Sequence, residues 1–480
     1  MAGITSYGAY VPLQRIVRKT ISAATGWSTS AASLPGEKAV ANYDEDSLTM
    51  AVAASIDCLY DAAREKIDGL YFATTTPPYR ERQNAAIIAT SLDLHPDIRT
   101  CDFSDSIKAG TGALLAACDA VKAGADENIL VCASDCRLGK AGGPQEVIFG
   151  EGAAAMVVGN TDVIASLEGY YSLSYDFMDQ WRADGDKYNR IWEDRWIRDE
   201  GYTKFIPEAI SGLLQKYGLD IKDFAKVVYP CIYLREHAGI AKRLQLDPAQ
   251  IQQEMLTTIG DTGSAHSLMM LVAALEDAKP GDKILLASYG NGSDALFFEV
   301  TEQIEKARDR MGVKRYLASR KELTNYERFS SYRDVVPMEM GLRGEVGPSM
   351  VSLMWRDRKT ILGLIGARCK KCGTPQYPYQ RVCVNPDCGA IDEMEEYRFS
   401  DKKCKLFSYT MDSLAFSASP PEMYGVVDFE GGGRFTFNIT DCDPESLAVD
   451  MPVEMTFRRK YVDNVRGIHG YFWKAMPARA

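Results

Sequence analysis

The sequence predicts an α/β fold followed by a small all-β part. Two stretches, one starting at Gly110 and the other at Thr262, share one order: small-residue helix start, apolar helix, glycine turn and buried strand. The continuous apolar runs 129–133 and 284–287 are typical of strands that helices cover on both faces. Because this order repeats, we predict a duplicated α/β unit.

The all-β part begins near residue 399, where period-two alternation replaces the helical pattern. The candidate strands are KLFSYTM, YGVVDF, RFTFNIT, VEMTFRR and GYFWKAM. A run of short strands of this kind indicates a small closed barrel of the OB type. We expect its aromatic side chains to fill the barrel, namely Phe407, Tyr409, Phe435, Phe437 and Phe457.

Four of the twelve cysteines lie close together before the barrel. Cys369, Cys372, Cys383 and Cys388 have the spacing C-x2-C-x10-C-x4-C, with a glycine directly after the second and fourth thiols. Each knuckle turns tightly enough for two thiolates to reach one tetrahedral ion, and glycine permits a positive φ there. Since four sulfur ligands leave no coordination position for water, we predict a structural zinc ion, with rubredoxin-like iron as the alternative.

Composition and charge exclude several classes of function. The 480 residues are 46% hydrophobic and 25% charged, which is an ordinary globular mixture. The net charge of −11 argues against a nucleic-acid partner for the whole chain. OB barrels often hold single strands, but residues 401–480 carry ten basic and eleven acidic residues, so no electrostatic funnel is expected.

Membrane and secretion signals are not expected either. No stretch approaches ~18 consecutive apolar residues, the length of a membrane span. The segment MAGITSYGAYVPLQRIVRK is typical of a strand and a turn, and it lacks the regions of a signal peptide. The cysteines outside the cluster are scattered, which favours a reducing compartment. We therefore expect a cytoplasmic protein with no membrane partner.

A set of motifs occurs in a fixed order along the first part of the chain. They are GITSYGAYVP, DEDSLTMAVAA, SYDFMDQWRADGDKY, GDTGSAHS, SYGNGSDA and YLASRKELTNYERFSSYR. Residues 1 to about 340 thereby resemble 3-hydroxy-3-methylglutaryl-CoA synthase of the archaeal type, a branch of the thiolase superfamily that also holds ketoacyl synthase III. From about residue 348 the chain resembles the zinc-ribbon/OB protein that, in archaeal systems, binds between a thiolase and this synthase and lines a shared CoA channel.

The resemblance implies a thiolase-like five-layer α/β/α/β/α sandwich of two βαβαβαββ halves, in agreement with the internal repeat. It also implies a self-dimer. The expected domains are 1–165 and 166–312 for the thiolase-like halves, 313–360 for a helical connector, 361–398 for the zinc ribbon and 399–480 for the OB-fold.

The resemblance further implies a Claisen-type condensation on acyl-CoA. In the family a Cys at a helix N-terminus takes the acyl group, a Glu removes a proton, and a His and an Asn orient the acceptor. Here Thr75 stands for the Glu, Ile107 for the Cys, Pro230 (or Cys231, if the alignment slips by one) for the His, and Asp261 for the Asn. Because isoleucine has no lone pair, we do not expect the standard mechanism to run.

Three residues near these positions are candidates for different chemistry. Cys231 offers a thiol, His266 follows the GDTGSA turn, and Ser106 directly precedes Ile107. Each also has an ordinary explanation: core packing for the cysteine, a satisfied structural histidine, and helix capping for the serine.

Together with the resemblance, these departures predict an acyl-CoA-handling subunit that is not catalytic alone. Its ligand or substrate would be a coenzyme A thioester, and its partners would be a thiolase subunit and a second copy of itself. The alternative is an active acyltransferase of the HMG-CoA synthase or ketoacyl-synthase type that uses non-standard catalytic residues.

Overall fold

The structure is a computed structural model, described here for residues 2–26, 34–60, 64–339 and 347–479. The chain forms two compact units. The first comprises Met1–Ala41, Asp46–Ala86 and His95–Val335, and the second comprises Asn42–Glu45, Ile87–Leu94 and Val336–Ala480.

The strands of the first unit precede those of the second along the chain. In the first unit they are β1 (Gly3–Tyr10), β2 (Gln14–Val17), β3 (Glu37–Val40), β4 (Gly69–Ala73), β5 (Arg99–Phe103), β6 (Asn128–Asp135), β7 (Gly152–Gly159), β8 (Ala165–Ser174), β9 (Gln180–Trp181), β10 (Arg190–Ile191), β11 (Lys226–Val228), β12 (Lys283–Ala287), β13 (Gly292–Val300) and β14 (Lys321–Glu322). In the second unit they are β15 (Ile365–Cys369), β16 (Pro375–Gln376), β17 (Met394–Arg398), β18 (Cys404–Asp412), β19 (Glu422–Phe429), β20 (Arg434–Asn438), β21 (Pro452–Asp463) and β22 (Ile468–Pro477).

In the described part of the chain the α-helices lie between Arg18 and Gly363. They are α1 (Arg18–Thr25), α2 (Ser47–Cys58), α3 (Asn84–Ser91), α4 (Ala109–Lys122), α5 (Pro144–Ile148), α6 (Asp194–Trp196), α7 (Thr203–Tyr217), α8 (Leu234–Arg243), α9 (His266–Asp277), α10 (Gly312–Ala318), α11 (Tyr326–Tyr332), α12 (Val351–Arg356) and α13 (Arg358–Gly363). A π-helix, Ile197–Tyr202, lies between α6 and α7. Short 3-10 segments are Arg64–Lys66, Ile221–Asp223, Gly263–Ala265, Glu302–Ala307 and Pro444–Ser446.

Among the described residues, nine strands of the first unit form one mixed sheet in the order β11-β12-β13-β8-β1-β7-β6-β4-β5. The strands on the two sides of the sheet pair in the same succession: antiparallel, antiparallel, then parallel. On one side β1 is antiparallel to β7, β7 to β6, and β6 is parallel to β4. On the other side β8 is antiparallel to β13, β13 to β12, and β12 is parallel to β11. The α/β class and the duplication are therefore confirmed.

The second unit contains the predicted all-β part. Strands β16, β15 and β17 form a small sheet that carries the cysteine cluster, and β20-β19-β18-β21-β22 form a second sheet. A bridge between Ile439 and Ala475 joins the end of the β20 side to β22, which closes the barrel. Each of the five barrel strands overlaps a segment that alternation predicted, and β20 ends two residues before the segment RFTFNIT does.

Only some of the aromatic side chains that we expected to fill the barrel are buried in it. Phe437 and Phe457 are 2% exposed, and Phe435 is half-buried. The expectation is wrong for Phe407 and Tyr409, which are 46% and 36% exposed. Cys404 and Leu406 are the buried residues of β18, so Phe407 lies on the opposite, outer face. After the register shift between Leu406 and Ser408 the strand is exposed on both faces, and Tyr409 lies in that part.

The helices of the described residues are short or polar compared with a membrane-spanning helix. None of them combines the length and the apolar character that a span requires.

Candidate functional site

An open cavity of about 760 Å³ lies where several loops meet at the carboxyl ends of β4 and β5. We call it the vestibule. Most of its wall comes from four segments: the loop after β4, the residues 102–107 before α4, the residues 176–182 after β8, and Gly290 with Asn291. Ligand sites in α/β sheets favour this edge, because strand ends and helix starts converge there.

Ile107 occupies the position where the family has its nucleophile. Its side chain is half-buried and packs on the apolar core of the second half of the sheet. Gly290 lies against it so closely that an added Cβ would come within 2.8 Å of the Ile107 side chain. The Gly290 backbone has a φ of 149°, so a larger residue is disfavoured there by both space and conformation.

Ser106 satisfies backbone groups at the start of α4. Its hydroxyl donates to the Gly290 carbonyl at 3.1 Å and accepts from the Lys108 amide at 3.3 Å. The Lys108 ammonium pairs with Asp294 at 3.3 Å. These bonds fix the turn before α4, whose N-cap is Lys108 and which has no side-chain cap, so Ser106 does not cap the helix itself.

A second, smaller cavity lies on the other side of Ile107. Its volume is about 10 Å³, which is room for about one water molecule. Its walls bring together Pro230, Cys231, Asp261 and His266, all of which the sequence singled out. We call it the inner cavity. Ile107 borders both cavities and thus stands between the vestibule and these residues.

Asp261 forms a buried ion pair with Arg137. The guanidinium lies 2.8 Å from the carboxylate, and both side chains are at least nine-tenths buried. Burial opposes the charge of Asp261 and is the largest single effect, but Arg137, His266 and the Gly263 amide together hold the pKa of this carboxyl below its usual range. The other carboxylate oxygen accepts from the Gly263 amide at 3.0 Å. Both carboxylate oxygens of Asp261 thus have a partner within the protein.

His266 is buried and is also paired. Its Nε2 lies 2.9 Å from the Glu254 carboxylate, and its Nδ1 lies 3.2 Å from the Thr262 amide. Burial disfavours the imidazolium, but the hydrogen bond and charge of Glu254 prevail and raise the pKa of His266 above its ordinary value. Glu254, His266, Asp261 and Arg137 therefore form two mutually compensating pairs beside one small cavity.

Cys231 is fully buried in the apolar core. Its thiol lies 3.4 Å from the Tyr233 carbonyl, and burial raises the pKa of the thiol well above its ordinary value. The thiolate, which is the nucleophilic form, is therefore disfavoured.

Thr75 lines the vestibule, away from the inner cavity. Its amide donates to Asp135 at 2.6 Å, and Asp135 also accepts from Thr76 at 3.1 Å. The second oxygen of Asp135 accepts from the Ser264 amide at 2.8 Å. Asp135 therefore fixes the loop after β4 to the turn before α9. The structure brings Ile107, Pro230, Cys231, Asp261 and His266 together in one cavity wall, and Thr75 joins Ile107 in the vestibule wall.

The sequence did not single out Arg137, Glu254 and Asp135, nor Tyr202, which also lines the inner cavity. One signal was available for two of them: Asp135 ends the fully buried strand β6, and Arg137 follows two residues later. Charged residues just after a buried strand lie at the edge where ligands bind. For Tyr202 no such signal existed, because the π-helix that carries it has no distinct pattern in the sequence.

The four clustered thiols form the metal centre of the second unit. All four sulfur atoms lie within 4.8 Å of one another, with Cys369 and Cys388 3.9 Å apart and Cys372 and Cys383 3.5 Å apart. Tetrahedral zinc with bonds of about 2.3 Å requires sulfur separations of about 3.8 Å. Gly373 and Gly389 have φ values of 78° and 53°, as the knuckle geometry predicted. The cluster therefore fits a structural zinc ion that ties β15 to the loop before β17.

Three family models match separate parts of the chain. Residues 359–392 match the rubredoxin-like zinc ribbon domain of ChsH2, and residues 397–458 match the C-terminal OB-fold domain of ChsH2. Residues 214–296 match the C-terminal part of 3-oxoacyl-[acyl-carrier-protein] synthase III. The prediction of zinc over iron and the prediction of an OB-fold are confirmed.

Curated relatives match the first part of the chain. A hydroxymethylglutaryl-CoA synthase of Methanopyrus kandleri is 35% identical over 319 residues, covering 64% of this chain and 90% of the relative. The same enzyme of Methanocaldococcus jannaschii is 32% identical over 348 residues, covering 70% of this chain and 100% of the relative.

Solved structures support the fold. An HMG-CoA synthase complexed with CoA has a TM-score of 0.63 at 20% identity and covers 73% of this chain and 94% of its own. A 3-oxoacyl-[acyl-carrier-protein] synthase III of Aquifex aeolicus has a TM-score of 0.54 at 21% identity and covers 62% of this chain and 100% of its own. The predicted thiolase-like architecture of the first part is confirmed.

Proposed function

We propose that this chain, which belongs to the hydroxymethylglutaryl-CoA synthase family, is an acyl-CoA-handling subunit of a thiolase-dependent complex that forms or cleaves C–C bonds. In this proposal the synthase-like part holds a CoA thioester and performs no chemistry alone. The zinc ribbon and OB-fold dock on the thiolase and enclose the CoA, and the chain forms a self-dimer in the cytoplasm.

One observation carries the proposal: a hydrocarbon side chain, Ile107, stands at the nucleophile position and separates the open vestibule from the inner cavity. In a serine protease, removal of the nucleophile costs on the order of 10⁶ in rate. The polar groups behind Ile107 do not offset this loss, because Asp261 and His266 are engaged by Arg137 and Glu254.

The vestibule supports binding without reaction. A volume of about 760 Å³ is large enough for an extended organic ligand. A structural neighbour is described as an HMG-CoA synthase complexed with CoA, and we transfer that ligand class to this chain as part of the proposal.

The test uses the purified full-length chain with acetyl-CoA and acetoacetyl-CoA. We expect no covalent acyl adduct by intact mass, no condensation product, and saturable binding of CoA thioesters by calorimetry. A thiolase should copurify from the native source, and the chain together with that thiolase should form the condensation product. Robust turnover by the chain alone overturns the proposal, and so does the absence of any CoA binding.

A second candidate function is an acyltransferase with non-standard residues. It is favoured by the presence of Cys231 and His266 in the wall of one cavity. Incubation with a reactive acyl-CoA followed by peptide mapping separates the two candidates. A stoichiometric adduct on Cys231 that disappears in Cys231→Ala supports the enzyme, whereas an unmodified chain supports the binding subunit.

A further inference from the structure

Four aromatic side chains line the vestibule together with Ile107. They come from three separate segments: Tyr79 from the loop after β4, Phe103 from the end of β5, and Phe177 and Trp181 from the stretch after β8. All four are half-buried. A cavity of about 760 Å³ whose wall gathers aromatic rings from distant parts of the chain has the usual form of an organic-ligand site.

Two of these rings are held in place by contacts that lie outside the vestibule wall. Phe177 stacks on Trp196, with ring centroids 6.0 Å apart, and meets Phe205 edge-on at 5.2 Å. Phe103 packs against Tyr71 with centroids 5.4 Å apart. A ring whose position is already fixed loses little conformational entropy when a ligand packs on it. The vestibule therefore offers preorganised aromatic surface.

Phe177 lies at the same end of the vestibule as Ile107. Both side chains pack on the same apolar core, and both border the vestibule. The Asn291 side-chain amide donates to the Phe177 carbonyl at 3.2 Å, and the adjacent Gly290 lies directly against Ile107. Because Ile107 stands at the nucleophile position, the acyl end of a bound thioester is expected at this apolar end of the cavity.

The charged groups of the vestibule wall are mainly acidic. They are two arginines and five aspartates, namely Arg80, Arg182, Asp102, Asp105, Asp176, Asp179 and Asp184. Arg80 is paired with Asp184, and the Arg182 guanidinium donates to a backbone carbonyl at 2.5 Å. Asp105 and Asp176 are exposed and form no ion pair with any residue that the structure describes. Such a wall repels a further carboxylate, so it favours an uncharged ligand group.

We propose that the vestibule selects CoA thioesters whose acyl group is an uncharged aromatic ring, which packs on Phe177 next to Ile107. This inference rests on the proposed function, which supplies the CoA thioester. An aromatic ring makes offset or edge-to-face contacts with Phe177 that a saturated ring of the same size cannot make. The volume of about 760 Å³ takes such a ring together with the uncharged pantetheine arm, and the phosphate groups of CoA stay outside the acidic wall.

The first test compares benzoyl-CoA with cyclohexanecarbonyl-CoA by calorimetry, because the two acyl rings have the same size and only one is aromatic. For the wild-type chain we expect benzoyl-CoA to bind about three- to tenfold more tightly. Phe177→Leu keeps an apolar side chain and removes the ring, so the two affinities should then agree within about twofold. Trp192→Leu is the matched control: this exposed tryptophan follows the same stretch but does not line the vestibule, and the preference should persist.

The second test concerns charge and compares pentanoyl-CoA with glutaryl-CoA, which have equal chain lengths and differ in a terminal carboxylate. We expect pentanoyl-CoA to bind more tightly to the wild-type chain. The double variant Asp105→Asn with Asp176→Asn should reduce this difference by about two- to fivefold, because it removes the repulsion and leaves the loss of apolar surface unchanged. An unchanged difference overturns the selection against charge.

The results separate this inference from the proposed function. If no CoA thioester binds to the wild-type chain, the proposed function fails and this inference fails with it. If the wild-type chain binds both ring thioesters equally, aromatic selection is overturned, whatever the variants do, while the proposed function stands. A preference that survives in Phe177→Leu, with CoA affinity and thermal melt as in the wild type, excludes Phe177 as the contact and also overturns the inference.

Discussion

The polar groups around the inner cavity are paired with one another, whereas those of the zinc cluster can be satisfied together only by a metal ion. Around the inner cavity Asp261 is paired with Arg137, and His266 with Glu254, so each charge is compensated by a neighbour. In the cluster four thiols converge on one point, where only a metal ion satisfies them together. The comparison shows that residue types near a familiar position do not define a reactive site. What matters is whether their partners lie within the protein or must come from outside.

The largest expected effect concerns the zinc cluster. Cys372→Ser removes one of the four ligands, and structural zinc contributes about 10–16 kcal/mol of apparent binding free energy to a ribbon of this kind. We expect loss of bound zinc by elemental analysis and loss of hydrogen-exchange protection in β15 and β17. Cys101→Ser changes a thiol outside the cluster and should keep both. Full zinc content in Cys372→Ser would contradict the assignment.

At the inner cavity the corresponding experiment removes an ion-pair partner that belongs to the protein itself. Arg137→Met leaves the Asp261 carboxylate buried without its cation, which costs about 3–5 kcal/mol of unfolding free energy. The double variant Arg137→Met with Asp261→Leu should recover most of that loss, because it replaces both charges by apolar groups. Urea unfolding measures both values.

An exposed pair is the matched control for this experiment. Lys314 and Asp277 are more than half exposed, and removing Lys314 should cost under about 1 kcal/mol. If the double variant is no more stable than Arg137→Met, the buried pair is not the unit that we describe.

The sequence predicts features whose signals are local. Periodic apolar runs mark β6 and β12, and the spacing of the four cysteines marks the zinc cluster. The pairs of the inner cavity have no local signal, because Arg137 and Asp261 lie 124 residues apart and meet only through the fold. Resemblance located Ile107 and Asp261 but could not indicate what they contact. The exposure of Phe407 escaped prediction because alternation does not say which face of a strand points inward, and in β18 that face carries Cys404 and Leu406.

A smaller effect is expected from the pH dependence of His266. Its pKa is higher in the folded chain than its ordinary value of about 6.5, because Glu254 favours the imidazolium. The stability that this proton supplies is complete below the unfolded pKa and is lost as the pH rises through the folded pKa. Unfolding free energy should therefore fall above about pH 6.5, by no more than about 1.4 kcal/mol per pH unit.

His266→Gln should remove this part of the pH dependence, and the exposed His95→Gln should leave it unchanged. The measurement is urea unfolding at a series of pH values. An unaltered profile in His266→Gln would show that the Glu254 pair is not the source.

Among the residues that line the two cavities, the smallest change in stability, about 1 kcal/mol, is expected for Ile107→Cys, which trims a half-buried side chain and returns a thiol to the start of α4. A thiol beside a helix start is activated toward its thiolate, so intact mass should show slow acylation by acetyl-CoA where the wild-type chain shows none. Condensation with acetoacetyl-CoA should nevertheless remain at background. Thr75 and Pro230 offer neither a proton acceptor nor an imidazole, and the Asp261 carboxylate is held by Arg137. Multiple turnovers by Ile107→Cys alone would contradict this expectation. They would mean that the paired groups around the inner cavity are available for catalysis and that only the nucleophile was missing.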